Sequence, residues 1–175
     1  MDVGQAFLDE SRRYLLKEYA VKIHLCLDEL SDEDLWWRPN ERANSIGNLL
    51  LHLAGNVRQW IVSGVGGAPD TRQRQREFDE RGRLPRTEVL GRLDAALQDA
   101  DRVLGDLDPA VLAQDRKIQG RDTNVFRAIY HVVEHFGMHT GQIAYITKLR
   151  TGADLGFYRD AGGLATEAWR ERGGV

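Results

Sequence analysis

The histidines are the residues in this chain whose spacing best suits chemistry. His131, His135 and His139 lie four residues apart, so in a helix they share one face. Neutral imidazole is a good ligand for zinc and nickel. At a rise of about 1.5 Å per residue, His131 and His139 are roughly 12 Å apart, too far for both to bind one ion at about 2.1 Å. Only one adjacent pair can therefore share an ion.

A third ligand must come from another element, and His52 is the best candidate. It lies on the flank of an earlier apolar stripe, beside Asn56 and Gln59. Three histidines leave coordination positions open for water or substrate, which is typical of catalytic rather than structural metal sites. A single histidine on a helix flank is more often a hydrogen-bonded packing residue, and we interpret His24 in that way. Spacing alone leaves open whether metal binds and which pair of the later histidines binds it.

The elements that must position these histidines are helices, because apolar residues recur with helical spacing in four segments separated by prolines. The predicted helices run from Gly4 to Leu30, from Asn44 or Ser45 to Ser63, from Thr87 as N-cap to Gly105, and from after Asp122-Thr123 to Arg150–Gly152. No segment between them shows sustained strand alternation. The pattern predicts an all-α protein built as a four-helix bundle.

The connection from Gly64 to Arg86 is too long for a simple hairpin between helices. We therefore predict a crossover that makes helices two and three run parallel. This segment is rich in charged residues, and a solvated loop is the simpler interpretation, with a surface for an anionic substrate as the alternative. The charged residues are Arg72, Arg74, Arg76, Arg81, Arg83, Arg86, Asp70, Glu77, Asp79 and Glu80.

Composition limits the class of protein and its partners. A chain of 175 residues suits one domain, and a net charge of -3 gives no general attraction to nucleic acid or anionic lipid. The low-charge stretch from Ala128 to Thr147 carries three histidines, which suits a buried helix better than a membrane span. The lone Cys26 has no internal disulfide partner, and residues 1–10 lack a signal-peptide pattern. We expect a cytoplasmic protein without nucleic-acid or membrane partners.

Two motifs carry a resemblance to a known family: His135-Phe-Gly-Met-His139-Thr-Gly-Gln142-Ile, and the earlier Ser45-Ile-Gly-Asn-Leu-Leu-Leu-His52-Leu. Together with Trp37-Arg38-Pro39 and Leu149-Arg150, they resemble the DinB-like (DinB/YfiT) superfamily of bacterial metal-binding four-helix proteins. The similarity covers most of residues 1–150, so we expect a domain over 1–152 and a tail over 153–175 packed on it or extending it.

The resemblance implies the ligand set and the topology. It assigns His52, His135 and His139 as metal ligands and makes His131 a neighbour. It also implies an up-down-down-up bundle, in agreement with the long crossover, and a homodimer. Some similar proteins use a low-molecular-weight thiol such as mycothiol or bacillithiol. The expected function is therefore a zinc- or nickel-dependent enzyme that activates such a thiol, or water, for transfer to a small electrophilic substrate.

Two further residues are candidates for catalysis, and other functions stay open. Gln142 shares the histidine face and can orient a ligand, whereas Glu134, about 100 degrees from His135, is a weaker candidate for a proton acceptor. A metal-dependent hydrolase and a non-catalytic metal-binding or interaction bundle are the alternatives. A zincin site is excluded because Phe136, not glutamate, follows His135. Di-iron and covalent haem motifs are also absent from the sequence.

Overall fold

The computed structural model describes residues 2–82 and 84–172, of which 64% are helical. Arg83 of the crossover and residues 173–175 of the tail lie outside the described residues. The first long helix consists of α1 (Val3–Arg12), a π-helical segment (Arg13–Tyr19) and α2 (Ala20–Asp28). Asp2 caps it by accepting a hydrogen bond from the backbone of Gly4. The predicted single helix is therefore present, with a wider turn in its middle.

The second long helix carries His52 and begins after the short α3 (Asp32–Trp36). It consists of α4 (Ile46–Val57) and a π-helical segment (Arg58–Ser63). Of the two predicted caps, Ser45 is the one used: its side chain accepts from the backbone of Asn48, whose own side chain returns the contact. All of α4 except Gly55 is buried, so this helix forms the centre of the fold.

The crossover is partly helical, because α5 (Arg74–Asp79) lies within it, before the third long helix, α6 (Arg86–Gly105). The predicted cap at Thr87 is wrong. Pro85 occupies the N-cap position, and no side-chain capping bond forms there. Proline suits the entry to a helix because its fixed φ angle is compatible with the first turn and its missing N–H would have no helical partner.

The fourth long helix, α7 (Val125–Thr151), is preceded by a hairpin that the sequence analysis did not predict. A 3₁₀ turn (Pro109–Val111) leads into β1 (Asp115–Ile118), which pairs antiparallel with β2 (Arg121–Asn124). Both residues of the connecting turn, Gln119 and Gly120, have positive φ angles, as a type I′ two-residue hairpin requires. Asn124 caps α7, and Gly152 ends it in the left-handed conformation, as predicted.

The tail also contains an unpredicted hairpin, in which β3 (Arg159–Ala161) pairs with β4 (Leu164–Thr166). A final turn of helix, α8 (Trp169–Arg172), follows, and the side chain of Trp169 is fully buried. α8 contacts α2. Leu155, just after α7, is also part of the core. The described part of the tail therefore packs on the first long helix.

Each of the four long helices packs against two others. α4 contacts α6 and α7, and the first long helix contacts the same two from the other side. The side chains between them are almost entirely aliphatic, with Phe136 as the largest aromatic residue of α7 in the core. This packing fixes the faces of α4 and α7 toward each other. Within residues 2–82 and 84–172, no helix combines the length and apolar composition needed to cross a membrane.

Candidate metal centre

His52 of α4 and His135 and His139 of α7 meet where these two helices pack. The Nε2 atom of His135 lies 3.1 Å from Nε2 of His52 and 3.2 Å from Nε2 of His139. The ligand atoms of the three residues all lie within 4.8 Å of one another, close enough to hold one metal ion. His52 and His139 are buried, and His135 is half-buried.

The local sequence explains why the helices approach closely here. Phe136, next to His135, is fully buried, and Val132 and Ile143 continue the same buried stripe of α7. This stripe fixes the rotation of the helix, so that the histidine face lies at the edge of the core. Gly137 provides space for another neighbour: a Cβ atom at this position would lie 2.8 Å from the Tyr19 hydroxyl.

The outward nitrogens of two histidines have hydrogen-bond acceptors. Nδ1 of His52 lies 2.8 Å from Oε2 of Glu77, and Nδ1 of His139 lies 2.7 Å from Oε1 of Gln142. A carboxylate and an amide oxygen can only accept, so these two contacts favour the tautomer with the proton on Nδ1, in which Nε2 presents a lone pair to the centre. Nδ1 of His135 is buried and has no hydrogen-bond partner among the described residues.

Arg72 of the crossover holds Glu77 with two parallel hydrogen bonds. Its Nε donates to Oε1 at 2.7 Å and its Nη2 to Oε2 at 2.8 Å, while Nη1 donates to Oε1 of Gln59 at 2.9 Å. Gln59 in turn donates to Asp70 at 2.7 Å. The Arg72 side chain is only 4% exposed. The interpretation of the crossover as a solvated loop is therefore wrong at Arg72 and Glu77, although Arg74 and other arginines there are exposed.

Burial and neighbouring imidazoles lower the pKa of two of the three histidines, His135 and His139. Burial, reinforced by the charges that His139 and His52 carry when protonated, lowers the pKa of His135 to about 3. Burial also lowers the pKa of His139, against the opposing hydrogen bond to Gln142. Burial alone would raise the pKa of Glu77, but hydrogen bonds from Arg72 and His52 outweigh it and the pKa is lowered. The centre thus combines neutral imidazoles at His135 and His139 with an ionised carboxylate next to His52.

This donor set fits a divalent ion. Two ligands about 2.1 Å from a tetrahedral ion lie roughly 3.4 Å apart, close to the 3.1 and 3.2 Å observed between adjacent Nε2 atoms. Without an ion, a proton on the central Nε2 of His135 can be donated well to only one of its two neighbours. A carboxylate or amide on the outer nitrogen of each flanking histidine is also the common arrangement around metal-bound imidazole.

The remaining predicted residues lie outside the cluster. His131 packs on Trp60, with ring centroids 4.4 Å apart, and its Nε2 lies 3.4 Å from Nδ2 of Asn56. His24 lies 3.2 Å from Asp94 on the surface. Glu134 is exposed on α7 and is not one of the residues that the structure brings to the three histidines. Gln142 is the candidate that contacts a histidine of the cluster directly.

Sequence reasoning missed Glu77 and Arg72, which complete the surroundings of His52. Nothing in the local pattern marks them, because they lie in an arginine-rich connection and their positions depend on how it folds back over α4. One weak signal was present in Gly55, the exception in the otherwise buried α4. A Cβ atom at this position would lie 2.1 Å from Oε1 of Glu77 and 2.9 Å from Nε of Arg72. The glycine therefore leaves space for the pair.

A cavity of about 870 Å³ lies between the second long helix, the crossover and α6. Arg72, Glu77 and Gln59 line it together with apolar residues such as Leu51 and Val62. The three histidines are not among its lining residues. The cavity therefore borders the Arg72–Glu77 pair and not the histidine side chains.

The chain matches one known protein family over most of its length. One protein-family model matches residues 2–157 and carries the description "Protein of unknown function (DUF1572)". This family is in the DinB-like clan. The matched region includes both histidine-bearing helices and the crossover with Glu77. No curated protein matches the chain.

Proposed function

The chain belongs to the DUF1572 family of the DinB-like clan, and on this basis we propose that it binds one divalent metal ion, zinc or nickel, through His52, His135 and His139. The observation that carries the proposal is the convergence of three Nε2 atoms whose outer nitrogens, in two of the three residues, are held by acceptors. Imidazole ligands suit both metals.

The proposal includes the architecture that the resemblance implies, a four-helix bundle with up-down-down-up order. The closed ring of contacts among the four long helices supports it. So does the long connection from Gly64 to α6, which is long enough to cross the bundle. A homodimer acting on a small-molecule substrate in the cytoplasm belongs to the same proposal, and light scattering of the purified protein tests the dimer.

We further propose that the protein is an enzyme that activates a low-molecular-weight thiol, or water, for attack on a small electrophile. When bound, the ion lowers the pKa of a coordinated thiol or water. The chain holds the three ligands in place, and Gln142 orients His139. Glu134 is exposed and stays a weak candidate for proton transfer.

The thiol must come from outside the chain. Cys26 is the only cysteine, and it is fully buried in the core. Burial raises the pKa of its thiol to about 11, despite a hydrogen bond with Thr147. A buried thiol that stays protonated at neutral pH cannot act as a nucleophile toward a substrate. A diffusible thiol or water is therefore the nucleophile consistent with the site.

Metal content of the purified protein tests the ligand assignment. Protein purified without a chelator or histidine tag and supplied with zinc or nickel should hold one ion per chain at neutral pH. His52→Ala, His135→Ala and His139→Ala should each lose most of it, because each removes one of three ligands. His131→Ala and His24→Ala are the matched controls and should keep it. A protein without stoichiometric metal, or one that loses it in the controls instead, contradicts the assignment.

Cobalt substitution separates the two chemistries. If the site activates a thiol, cobalt-loaded protein mixed with bacillithiol, mycothiol or a related thiol should show a thiolate-to-cobalt charge-transfer band. Metal-dependent hydrolysis of a small ester or amide without any such band favours the hydrolase. Metal binding without either property favours a non-catalytic metal-binding bundle.

A further inference from the structure

Glu77 contacts the metal centre from the crossover, and neither the histidine spacing nor the family description assigns it a role. We propose that Glu77 is a positioning residue: it fixes His52 in the tautomer protonated at Nδ1, so that the Nε2 lone pair faces the centre, and Arg72 holds Glu77 in place. The proposal concerns the tautomer of His52 in the metal-free protein, and its consequence for metal affinity rests on the proposed function.

The hydrogen-bonding capacities of the groups determine where the proton lies. Oε2 of Glu77 is 2.8 Å from Nδ1 of His52, and an ionised carboxylate only accepts, so Nδ1 donates. Nη2 of Arg72 is 3.1 Å from the same Nδ1, but it cannot donate to a nitrogen that already carries a proton. Its hydrogen bond goes instead to Oε2 of Glu77 at 2.8 Å. The carboxylate thus accepts from both groups.

The pair is built into the fold at several points. The side chains of Arg72 and Glu77 are 4% and 11% exposed, which restricts them to one arrangement. Gly55 leaves room for them, as described above. The fully buried Asn48 also donates to the backbone carbonyls of Glu77 at 2.8 Å and Glu80 at 3.0 Å, which fixes the end of α5 against α4. Helix α4 therefore fixes the backbone that carries the carboxylate and also carries the histidine that the carboxylate contacts.

The three histidines differ in what holds them, and the difference identifies Glu77 as the most important partner. His139 is held by the neutral amide of Gln142, which is exposed, and Nδ1 of His135 has no partner among the described residues. Glu77 is the charged partner. A carboxylate that accepts from the outer nitrogen makes the other nitrogen a more basic metal ligand. Removing such a carboxylate typically lowers metal affinity about 10- to 100-fold.

The first measurement uses the metal-free protein with ¹⁵N-labelled histidine. Long-range ¹H–¹⁵N correlation spectra identify the protonated nitrogen of His52 at a pH at which the ring is neutral. Wild type should be protonated at Nδ1. The double variant Arg72→Met/Glu77→Leu removes both charges while keeping the volume, which buried ion pairs often tolerate without loss of stability. It should lose the preference for Nδ1, whereas Glu77→Gln, whose amide oxygen still accepts, should keep it.

The second measurement is the affinity for cobalt, followed by absorption. The double variant should bind about 10- to 100-fold more weakly than wild type, and Glu77→Gln should lie between them. Asp79→Asn, an exposed residue of the same helix, is the matched control and should bind as wild type does. Thermal unfolding of each variant without metal separates loss of stability from loss of positioning.

Two results overturn the proposal. One is a wild-type His52 protonated at Nε2 in the metal-free protein. The other is a folded double variant that keeps the Nδ1 tautomer and the wild-type affinity, even if its melting temperature falls, because Glu77 then serves stability alone. If wild-type protein binds no cobalt, zinc or nickel, the proposed function fails, but the tautomer measurement still decides the role of Glu77.

Discussion

Two of the polar clusters that the described residues bury are satisfied in opposite ways. In the first, the ammonium of Lys22 lies 2.9 Å from Glu18 and 3.2 Å from the Tyr158 hydroxyl, and 4.9 Å from the ring of Trp169. This cluster ties the tail to the first long helix with opposite charges and aromatic faces. In the second, the candidate metal centre, three imidazole Nε2 atoms face one another.

The two clusters differ in whether their own polar groups satisfy one another. The Lys22 cluster is complete, since the negative charge of Glu18 and the hydroxyl of Tyr158 both contact the positive charge of Lys22. The histidine cluster is incomplete without a further group, because no opposite charge among the described residues contacts the three Nε2 atoms and a proton on Nε2 of the neutral His135 can satisfy only one of its two neighbours. Burial of polar groups therefore indicates a binding site only where the groups do not satisfy one another.

The largest expected effect is an acid sensitivity of the histidine cluster in the absence of metal. His135 has a pKa of about 3 in the folded protein, against 6.5 as the ordinary value. The unfolded chain therefore takes up this proton first as the pH falls, which favours unfolding. Stability should be intact above pH 6.5 and fall by the order of a few kcal/mol between pH 6.5 and about 3. Chemical denaturation of wild type and His135→Leu in chelator measures it, and equal slopes in both would contradict it.

The next effect tests the complete cluster. Lys22→Met leaves the buried Glu18 without its closest partner, although Arg13 remains 3.1 Å away. Breaking a buried pair from one side is costly, and we expect a loss of about 3 kcal/mol in the free energy of unfolding. Arg92→Met breaks the exposed pair with Glu88 and should cost less than about 1 kcal/mol. Similar losses in both variants would show that burial does not distinguish the two pairs.

Metal should stabilise the protein only through the second cluster. A ligand at 100 times its dissociation constant adds about 2.7 kcal/mol to the stability of the folded state. Zinc or nickel should therefore add the same free energy of unfolding to wild type and to Lys22→Met, and raise the melting temperature of both. The melting temperature of His139→Ala should not change. Differential scanning calorimetry measures this. An equal increase in His139→Ala would show that the ion binds elsewhere.

The smallest effect compares the two weaker catalytic candidates. Gln142→Leu removes the acceptor at Nδ1 of His139 and should weaken metal binding by about 10-fold. Glu134→Gln should leave the affinity within about 2-fold, because this exposed residue makes no hydrogen bond to the histidines in the described part of the chain. Titration calorimetry compares them, and the reverse order would place Glu134 in the site.

Local sequence was sufficient for the main helices, since periodicity and caps depend on neighbouring residues. Gly152 and Ser45 mark helix ends through their own conformational and hydrogen-bonding preferences. The hairpin around Gln119 and Gly120 was missed because its four-residue strands are too short and polar to show alternation. The cap at Thr87 was wrong because Pro85 starts the helix two residues earlier than the capping pattern suggested.

The sequence likewise predicted only part of the candidate site. Spacing placed His131, His135 and His139 on one face, and resemblance to a family selected the pair that the structure brings to His52. Spacing alone was insufficient because either pair has the same geometry along the helix. The choice depends on the neighbouring helix, whose Trp60 packs against His131 and whose His52 meets the other two.

The amino-acid sequence by itself determined which side chains can bind metal and which face of each helix carries them, because both follow from residue type and a fixed helical period. Only the tertiary structure decided which of these side chains share a site and which residues hydrogen-bond to them. Glu77 reaches His52 across 25 residues of chain, and Arg72 reaches it through the same fold of the crossover. Such contacts arise from how α5 packs on α4, a long-range arrangement that no local pattern encodes.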